Sequence, residues 1–462
     1  MISSMDDTIA ALATAPGKGA IAIIRMSGSK SLPVLEKIFS TGQAVKDIHD
    51  SLMTLGRIVY PDSGQTLDEV LVTIFRNPRS FTGEDVVEIS CHGGPAVIRE
   101  ILNLLFENGV RLADPGEFTK RAFINGKMDL LQAEAVADII ESQTRYSLKQ
   151  SQNQMFGRLS KRLLLLKQTL KKQLSLLEVE LDFSEEDIEF VSRKELKESI
   201  HLLIDQVEEL LKSFKFGKVI REGARLVLVG RPNVGKSSIL NRLVEEDRAI
   251  VTAEPGTTRD LIEEAIDIDG VYFKVTDTAG LRLTEDKVEK IGVTKAKNVL
   301  STADIIALIV ESGETLTAED ETALRILQSV NNQAVLFLLI NKIDLQKNKI
   351  KMINDAMFKR SLEISAKTGE GFTDLKQALV GLVVGSNIQS DFAFINKARH
   401  SDALRRAKAA LKHAENSLRE ELSSEFVSLD VREALDALGE LTGEVTTDEI
   451  LNDIFSSFCI GK

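Results

Sequence analysis

The octapeptide "GRPNVGKS", residues 230–237, fits the spacing G-x-x-x-x-G-K-[ST]. An apolar run, "ARLVLVG", stands before it and a helical stretch after it, the setting in which such a loop wraps phosphates. Gly230 and Gly235 let backbone amides curl around phosphate oxygens. Lys236 supplies positive charge to the β- and γ-phosphates, and Ser237 offers a hydroxyl to Mg2+. Three short motifs follow in order, each at the end of an apolar run. In "DTAG", residues 277–280, Asp277 holds Mg2+ through water and the Gly280 amide senses a γ-phosphate. In "NKID", residues 341–344, the Asp344 carboxylate accepts two hydrogen bonds from the N1–H and 2-amino edge of guanine. Adenine has no such edge, so the site is one for GTP rather than ATP. In "SAK", residues 365–367, the Ala366 amide meets the guanine carbonyl. Each motif is weak alone; four in this order at strand ends specify a GTP site.

The set resembles the translation-factor-related branch of Ras-like GTPases, with one departure. Those enzymes orient the attacking water with a Gln just after the Gly of "DTAG". Here that residue is Leu281, which cannot hydrogen-bond water. Three features could compensate. Asn233, inside the P-loop, has a side-chain carbonyl that could ligate a cation, although Asn is also a common turn former. The segment "VTAEPGTTRD", residues 251–260, offers Thr258 to Mg2+ and backbone carbonyls to a monovalent ion. The stretch "LRLTEDKVEKIG" carries carboxylates, Glu289 among them, which otherwise read as solvated helix charges.

The elements that must position these residues fall into blocks. Residues 1–120 alternate short strands such as "GAIAIIRMSG", "DEVLVTIF" and "EDVVEIS" with Gly/Pro turns, and "AVIREILNLLFENGV" is an amphipathic helix closed by Gly109. This is an α+β domain. Residues 121–218 are helical: "MDLLQAEAVADIIESQTRYSLKQ" has no internal Gly or Pro, and Leu163, Leu166, Leu170, Leu174, Leu177 and Leu181 step by three and four. From Gly223 strand-like runs alternate with helices, the pattern of a mostly parallel sheet, giving an α/β P-loop GTPase domain over 219–382. Residues 383–462 are helical again. The economical arrangement is one all-α helical domain with the GTPase domain inserted in it, preceded by the α+β domain. No internal repeat and no low-complexity segment interrupts it.

The chain has 462 residues, 43% hydrophobic and 28% charged, with a net charge of −12. These values describe a soluble globular protein of several domains. An acidic chain binds nucleic acid poorly without a local basic patch or a partner. Two cysteines make no disulfide framework, which suggests a reducing cytoplasm. The start, "MISSMDDTIA", lacks the pattern of a signal peptide, and no run approaches the ~20 apolar residues of a membrane span.

In the first block "APGKGAIAIIRMSG", "SFTGEDVVEISCHGG" and "DPGEFTKRAFINGKMDL" are polar, Gly-rich and aromatic-bearing, which suits a small-molecule pocket. "CHGG" is no oxyanion loop, because no G-x-S-x-G elbow exists. Cys91 and His92 are adjacent on a strand and point to opposite faces, so Cys91 reads as a buried structural residue. The second cysteine, Cys459, sits in the terminal "SSFCIGK".

Together "SFTGEDVVEISCHGG", "PGEFTKRAFINGKMDLLQAEAVADII", "GRPNVGKSSILNRL", "IVTAEPGTTRD", "DTAGLR" and "FSSFCIGK" resemble the MnmE (TrmE) family of tRNA-modification GTPases along the whole chain. The resemblance implies a folate-binding-like N-terminal domain that forms a homodimer, a helical domain and an inserted G domain. It implies a heterotetramer with the FAD-dependent MnmG protein. That complex adds an aminomethyl or carboxymethylaminomethyl group to C5 of the wobble uridine of tRNA. The methylene comes from a tetrahydrofolate derivative, in 5-formyl or 5,10-methylene form. The family's G domains meet face to face with K+ and GTP bound, and K+ plays the part of an arginine finger.

Motif by motif, the resemblance makes Asn233 the side-chain ligand of K+, and Thr252, Glu254 and Thr257 its backbone ligands. Ser237 and Thr258 hold Mg2+. The nucleotide contacts span Asn233, Val234, Gly235, Lys236, Ser237 and Ser238; Thr252, Ala253, Glu254, Pro255, Gly256, Thr257 and Thr258; Asp277, Thr278, Ala279 and Gly280; Asn341, Lys342 and Asp344; and Ser365, Ala366 and Lys367. Glu289 is the water-positioning carboxylate and, with Lys236, catalytic. Arg25, Glu88, Lys127 and Lys462 take the folate. Glu254–Pro255 departs from the family's K+ loop; the contacts there are carbonyls, and Pro255 stiffens the segment. The tail "FCIGK" folds back toward the folate pocket, where Cys459 is a nucleophile toward the uracil ring, a residue that shapes the pocket, or only a small apolar packing residue. Prenylation does not fit Cys-Ile-Gly-Lys. The rival reading is a GTPase switch docking on RNA or the ribosome without chemistry on tRNA; the acidic chain shows no basic RNA-binding domain that would favour it.

Overall fold

The computed structural model describes residues 7–182, 192–246, 263–277, 298–313, 317–329, 334–345, 357–384 and 394–461. Thr252, Ala253, Glu254, Pro255, Gly256, Thr257, Thr258, Thr278, Ala279, Gly280, Leu281, Glu289 and Lys462 lie outside them. The chain divides into two compact units, residues 1–140, 153–203 and 406–462 in one, 141–152 and 204–405 in the other. In chain order the elements run α+β, helical, α/β and helical, as the sequence predicts.

The first unit holds a seven-stranded sheet of β1 (Ile9–Leu12), β2 (Ile21–Ser27), β3 (Phe39–Ser40), β4 (Thr54–Val59), β5 (Thr66–Phe75), β6 (Val86–His92) and β7 (Arg111–Leu112). Its order is β3-β4-β5-β6-β2-β1-β7. Alternation along the strands sorts side chains onto two faces. Ile24, Met26, Ile89 and Cys91 pack with Ile38 of α1 (Ser31–Ile38) and with Ile101 and Leu105 of α2 (Pro95–Glu107). Gly109 follows α2 at φ +83°, a backbone setting that favours glycine. Ile9 and Ala11 face the other way, onto Phe118 of α3 (Glu117–Ile124).

Helices α4 (Leu130–Glu141) and α5 (Arg145–Met155) occupy the stretch that the sequence reads as unbroken. The interruption needs no Gly or Pro. Thr144 and Ser147 cap α5 reciprocally: the Ser147 amide donates to Thr144 Oγ1 at 3.3 Å and the Thr144 amide to Ser147 Oγ at 3.1 Å. Then α6 (Arg158–Asp182) buries Leu163, Leu166, Leu170, Leu174 and Leu177, as their spacing predicts, while Leu181 is half-buried at the helix end. This face packs on α12 (Ser424–Thr442), which presents Val427, Val431, Ala434, Leu438 and Leu441. Lys167 is buried in the same seam, where Nζ donates to Thr442 Oγ1 at 2.9 Å and pairs with Glu444. The remaining helices flanking the α/β block are α7 (Arg193–Glu222), α11 (Ala398–Arg419) and α13 (Asp448–Ser456).

The second unit is built on a six-stranded sheet of β8 (Ala224–Val229), β9 (Glu263–Ile268), β10 (Val271–Asp277), β11 (Ile305–Glu311), β12 (Val335–Asn341) and β13 (Arg360–Glu363). The order is β13-β12-β11-β8-β10-β9, parallel except that β9 runs against β10. One face carries Leu226, Leu228, Ile309 and Phe337 against α8 (Lys236–Glu246) and α10 (Phe372–Val384). The other carries Val227, Val229, Leu308 and Leu338 against Ala323 and Leu327 of α9 (Ala318–Ser329). Burial on both faces explains why the inner strands β8, β11 and β12 are near-continuous apolar runs rather than alternating ones.

An ionic cluster ties the first unit together. Arg121, 1% exposed, donates to Asp7 Oδ1 at 2.6 Å and Glu117 Oε1 at 2.9 Å and meets Glu84 at 3.3 Å. Arg111 adds a 2.7 Å bond to Glu117. Burial would raise the Glu117 carboxyl, but bonds from Arg111, the Asp114 amide and Arg121 outweigh it and hold the group below 4.5. Arg121→Met should therefore cost about 3–5 kcal/mol, because Glu117 stays buried with less compensation. A folded pKa below the unfolded one means stability present at neutral pH and lost as pH falls through that lowered value. The gap between wild type and variant in urea unfolding should accordingly shrink below about pH 4. An equal gap at pH 7 and pH 3 would remove the electrostatic explanation.

Candidate functional site

The phosphate loop leaves β8 and enters α8, and glycine is required where the chain is most crowded. A Cβ on Gly230 would stand 2.5 Å from the Ile309 carbonyl oxygen, and one on Gly235 2.2 Å from Asn341 Nδ2. Asn233 takes φ +64°, a left-handed conformation that Asn tolerates better than most residues. Lys236 is buried, and its Nζ donates to the Gly230 and Arg231 carbonyls at 2.7 and 2.9 Å. Burial lowers its pKa against the opposing pull of Asp277. A buried ammonium held by carbonyls is a ready subsite for a phosphate oxygen. Ser237 Oγ donates to Asp277 Oδ2 at 2.9 Å, which sets a hydroxyl and a carboxylate side by side, the hard oxygen donors that Mg2+ prefers.

The base loops are built around Asn341, the last residue of β12. It is 1% exposed. Its Nδ2 donates to the Val234 carbonyl at 2.7 Å, and its Oδ1 accepts from the Ala366 amide at 3.0 Å. One amide thus joins the phosphate loop to the "SAK" loop. Lys342 follows at φ +67° and pairs with Glu311 at 2.9 Å. Asp344 is exposed, and its Oδ1 accepts from Ser365 Oγ at 2.7 Å. That bond fixes the carboxylate for the edge of a base. Val234, Gly235, Lys236, Asn341, Asp344, Ser365 and Ala366 are therefore brought into one network. Among the described residues the Ser238 and Lys367 side chains make no hydrogen bond or ion pair with this network.

Arg242, in α8, was not legible as part of this site. Its guanidinium donates to the Ala366 and Lys367 carbonyls at 3.0 and 3.2 Å, with Nε on Glu246 at 3.0 Å and Phe372 5.5 Å below. A Cβ on Gly369 would stand 2.3 Å from the same guanidinium. Arg242 is the girder under the base loop, and its carbonyl partners there, more than 120 residues away, reveal it.

In the other unit Arg25 and Glu88 face each other across β2 and β6. Arg25 donates to Glu88 Oε1 through Nε at 2.9 Å and Nη2 at 2.7 Å. The guanidinium carbon lies 5.6 Å from the Phe81 ring centre and 5.7 Å from that of Phe118. Lys127 Nζ donates to the Pro78 carbonyl at 2.8 Å, and the Lys127 stem lies under Gly83. Both basic residues therefore edge the 78–83 loop. Asn125, donating to the Thr82 carbonyl at 2.8 Å, pins that loop.

The tail packs against this unit. Phe458 is buried beside Leu130, Leu451 and Phe455, and the Cys459 carbonyl accepts from the Gly116 amide at 3.4 Å. Gly461, buried at φ +95°, lies so close to β1 that a Cβ would stand 2.2 Å from the Leu12 carbonyl. The neighbouring β1 residue, Ala11, pairs with Arg25.

The model for the MnmE helical domain matches residues 130–459, and that for the GTP-binding protein TrmE N-terminus matches residues 8–127. The tRNA modification GTPase MnmE of Natranaerobius thermophilus is 43% identical over 460 residues, covering 99% of this chain and 100% of its own. That of Clostridioides difficile is 41% identical over 463 residues, again 99% and 100%. The chain belongs to the MnmE family of tRNA modification GTPases. It is a GTP-hydrolysing enzyme. Among solved structures, the G domain of the T. maritima FeoB iron transporter aligns with 34% of this chain and 96% of its own at 24% identity, with a TM-score of 0.26, too loose to add to the assignment. No helix among the described residues of this MnmE-family chain is long and apolar enough to cross a membrane.

The two thiols differ sharply. Cys91 is 3% exposed, and burial, with Asp68 nearby, pushes it up to about 11. Among the described residues its Sγ donates to the Ala22 carbonyl at 3.6 Å and to nothing else, so it is the buried structural cysteine that the strand alternation predicts. Cys459 is exposed. Iodoacetamide at pH 8 should alkylate one thiol in the native protein, at Cys459, and two in guanidinium. Mass spectrometry showing native labelling of Cys91 would contradict both its burial and its raised pKa.

Proposed function

We propose that this chain, with an FAD-dependent MnmG-type partner, adds an aminomethyl or carboxymethylaminomethyl group to C5 of the wobble uridine in tRNA, drawing its carbon from a tetrahydrofolate derivative. On this reading residues 1–120 form the folate-binding and dimerising domain, 121–218 and 383–462 the helical domain, and 219–382 the G domain. The protein works in the cytoplasm as a homodimer joined to its partner in a heterotetramer. What carries the proposal is the Arg25–Glu88 pair between two aromatic rings, on the unit onto which the C-terminal tail packs. A charged pair flanked by flat apolar surfaces suits a ring bearing polar edge groups, as a pterin does. Arg25 and Glu88 would bind that ring, and Lys127 and Lys462 the acidic remainder of the molecule.

In the G domain Lys236 neutralises charge on the β- and γ-phosphates, and Asp344 and the Ala366 amide read guanine. Ser237 and Thr258 would hold Mg2+. The Asn233 carbonyl with the backbone of Thr252, Glu254 and Thr257 would hold K+; the two cations supply positive charge against phosphate negative charge when bound. Glu289 orients the attacking water in place of the Gln that Leu281 lacks. Because Asn233 sits at φ +64°, Asn233→Gly removes the side-chain ligand while keeping the backbone comfortable. GTP hydrolysis should fall sharply when K+ is replaced by Na+, and Asn233→Gly should flatten that dependence. Equal wild-type rates in the two salts would sink the cation assignment.

Cys459→Ser should leave GTP hydrolysis near wild type and abolish wobble-uridine modification, measured by mass analysis of tRNA nucleosides from a strain carrying only the variant. Normal modification would reduce Cys459 to packing. Loss of both activities would indicate misfolding. A strain lacking the protein altogether, yet with unaltered wobble uridines, would favour a GTPase switch without tRNA chemistry.

A further inference from the structure

The chain carries a net charge of −12, yet residues 142–177 contain no Asp or Glu. At the chain's own frequency, 70 acids in 462 residues, about five would fall in such a stretch of 36. Within it, α6 carries Arg158, Lys161, Arg162, Lys167, Lys171 and Lys172 before its first acid, Glu178. Only Lys167 of these is buried. The leucine seam faces α12, so the opposite side of α6 is turned outward. Lys161, Leu165, Gln168 and Lys172 are all exposed and follow one another at i, i+4, i+7 and i+11, a single stripe along that side. Glu444 meets Lys167 and, at 3.9 Å, Lys171 on the flank toward α12. Neither Lys161 nor Lys172 has an ion pair among the described residues. Arg158 to Lys172 rises about 21 Å along the helix, long enough to follow several successive phosphates.

We propose that this outward face of α6 is a contact surface for the phosphate backbone of RNA, the tRNA substrate of the reading above, on which this inference rests. An acidic protein is repelled by a polyanion over most of its surface, so a productive encounter needs a local region of opposite sign. The acid-free tract supplies one, on a rigid helix whose inner side is locked by packing. Phosphate contact requires no base-specific side chain; Leu164 and Leu165, 48% and 65% exposed, and Gln168 bring no negative charge to this face to compete for the lysines.

The test uses full-length protein and a fluorescent unmodified tRNA transcript, titrated between 50 and 200 mM salt. K161Q/K172Q should weaken binding about tenfold at the low end and reduce the slope of log K against log salt by roughly 2. The matched control, K194Q/K197Q, removes two exposed charges of α7 that stand beside Glu195 and Glu198, and should move the slope far less. GTP hydrolysis should match wild type in both variants, since neither touches the nucleotide site. Unchanged affinity and slope in K161Q/K172Q overturns the surface while leaving the proposed function standing. Unchanged tRNA binding with loss of a protein partner overturns it in favour of protein docking. Wild-type protein that binds no tRNA overturns both this surface and the tRNA reading beneath it.

Discussion

The nucleotide site depends on one buried carboxamide. Asn341 donates to the phosphate loop and accepts from the base loop, and it does so from the last position of a central strand. Its two bonds use the opposite ends of one planar group, so the separation of the loops is fixed by the width of an amide. No charged residue would serve: a carboxylate could not donate to the Val234 carbonyl, and an ammonium could not accept from the Ala366 amide. The same residue explains Gly235, whose missing Cβ leaves room for Asn341 Nδ2. Arg242 secures the far side of the base loop through two carbonyls. A guanine site that reads only one edge of its base needs this stiffness, because discrimination rests on leaving the wrong edge unpaired.

The first unit solves a similar problem with charge. Phe81, in the 78–83 loop, and Phe118, in α3, flank Arg25 from separate parts of the chain, and a network of hydrogen bonds holds them together. Arg121 gathers Asp7, Glu84 and Glu117. Ser27 then bridges Glu84 to Thr82, and Thr82 leads to Asn125. A network of this kind is costly to desolvate and contributes less net stability than apolar packing of the same volume. Its directionality fixes loop positions in a way that leucines would not.

What the sequence made legible follows from range. The P-loop, "DTAG", "NKID" and "SAK" each lie where a strand ends, and each is read within a few residues, so their places in the sheet could be anticipated. The leucine ladder of α6 is legible for the same reason. Arg242 and Arg121 were not, since their meaning lies in partners far along the chain. The break between α4 and α5 is not legible in the sequence because a reciprocal Thr144–Ser147 cap carries no Gly or Pro. Asn233 shows the opposite difficulty: the left-handed turn accounts for an Asn by itself, so residue type alone cannot separate backbone from ligand.

The distribution of charge reads differently once the fold is known. A surplus of acid over a chain of this size opposes unspecific contact with nucleic acids. Buried cations answer a local need instead: Lys236 lies among carbonyls, Lys167 beside Glu444, Arg121 among three carboxylates. Each is desolvated, and each therefore interacts strongly with whatever faces it, carboxylate in two cases and carbonyl in the third. Lys236 donates to two neutral carbonyls, with the Asp277 carboxylate pulling on it through space, so the buried ammonium still has charge to offer a phosphate. The strongest local attractions in this protein thus lie where water has been removed around a cation, while the net charge of −12 opposes unspecific contact with polyanions over most of the surface.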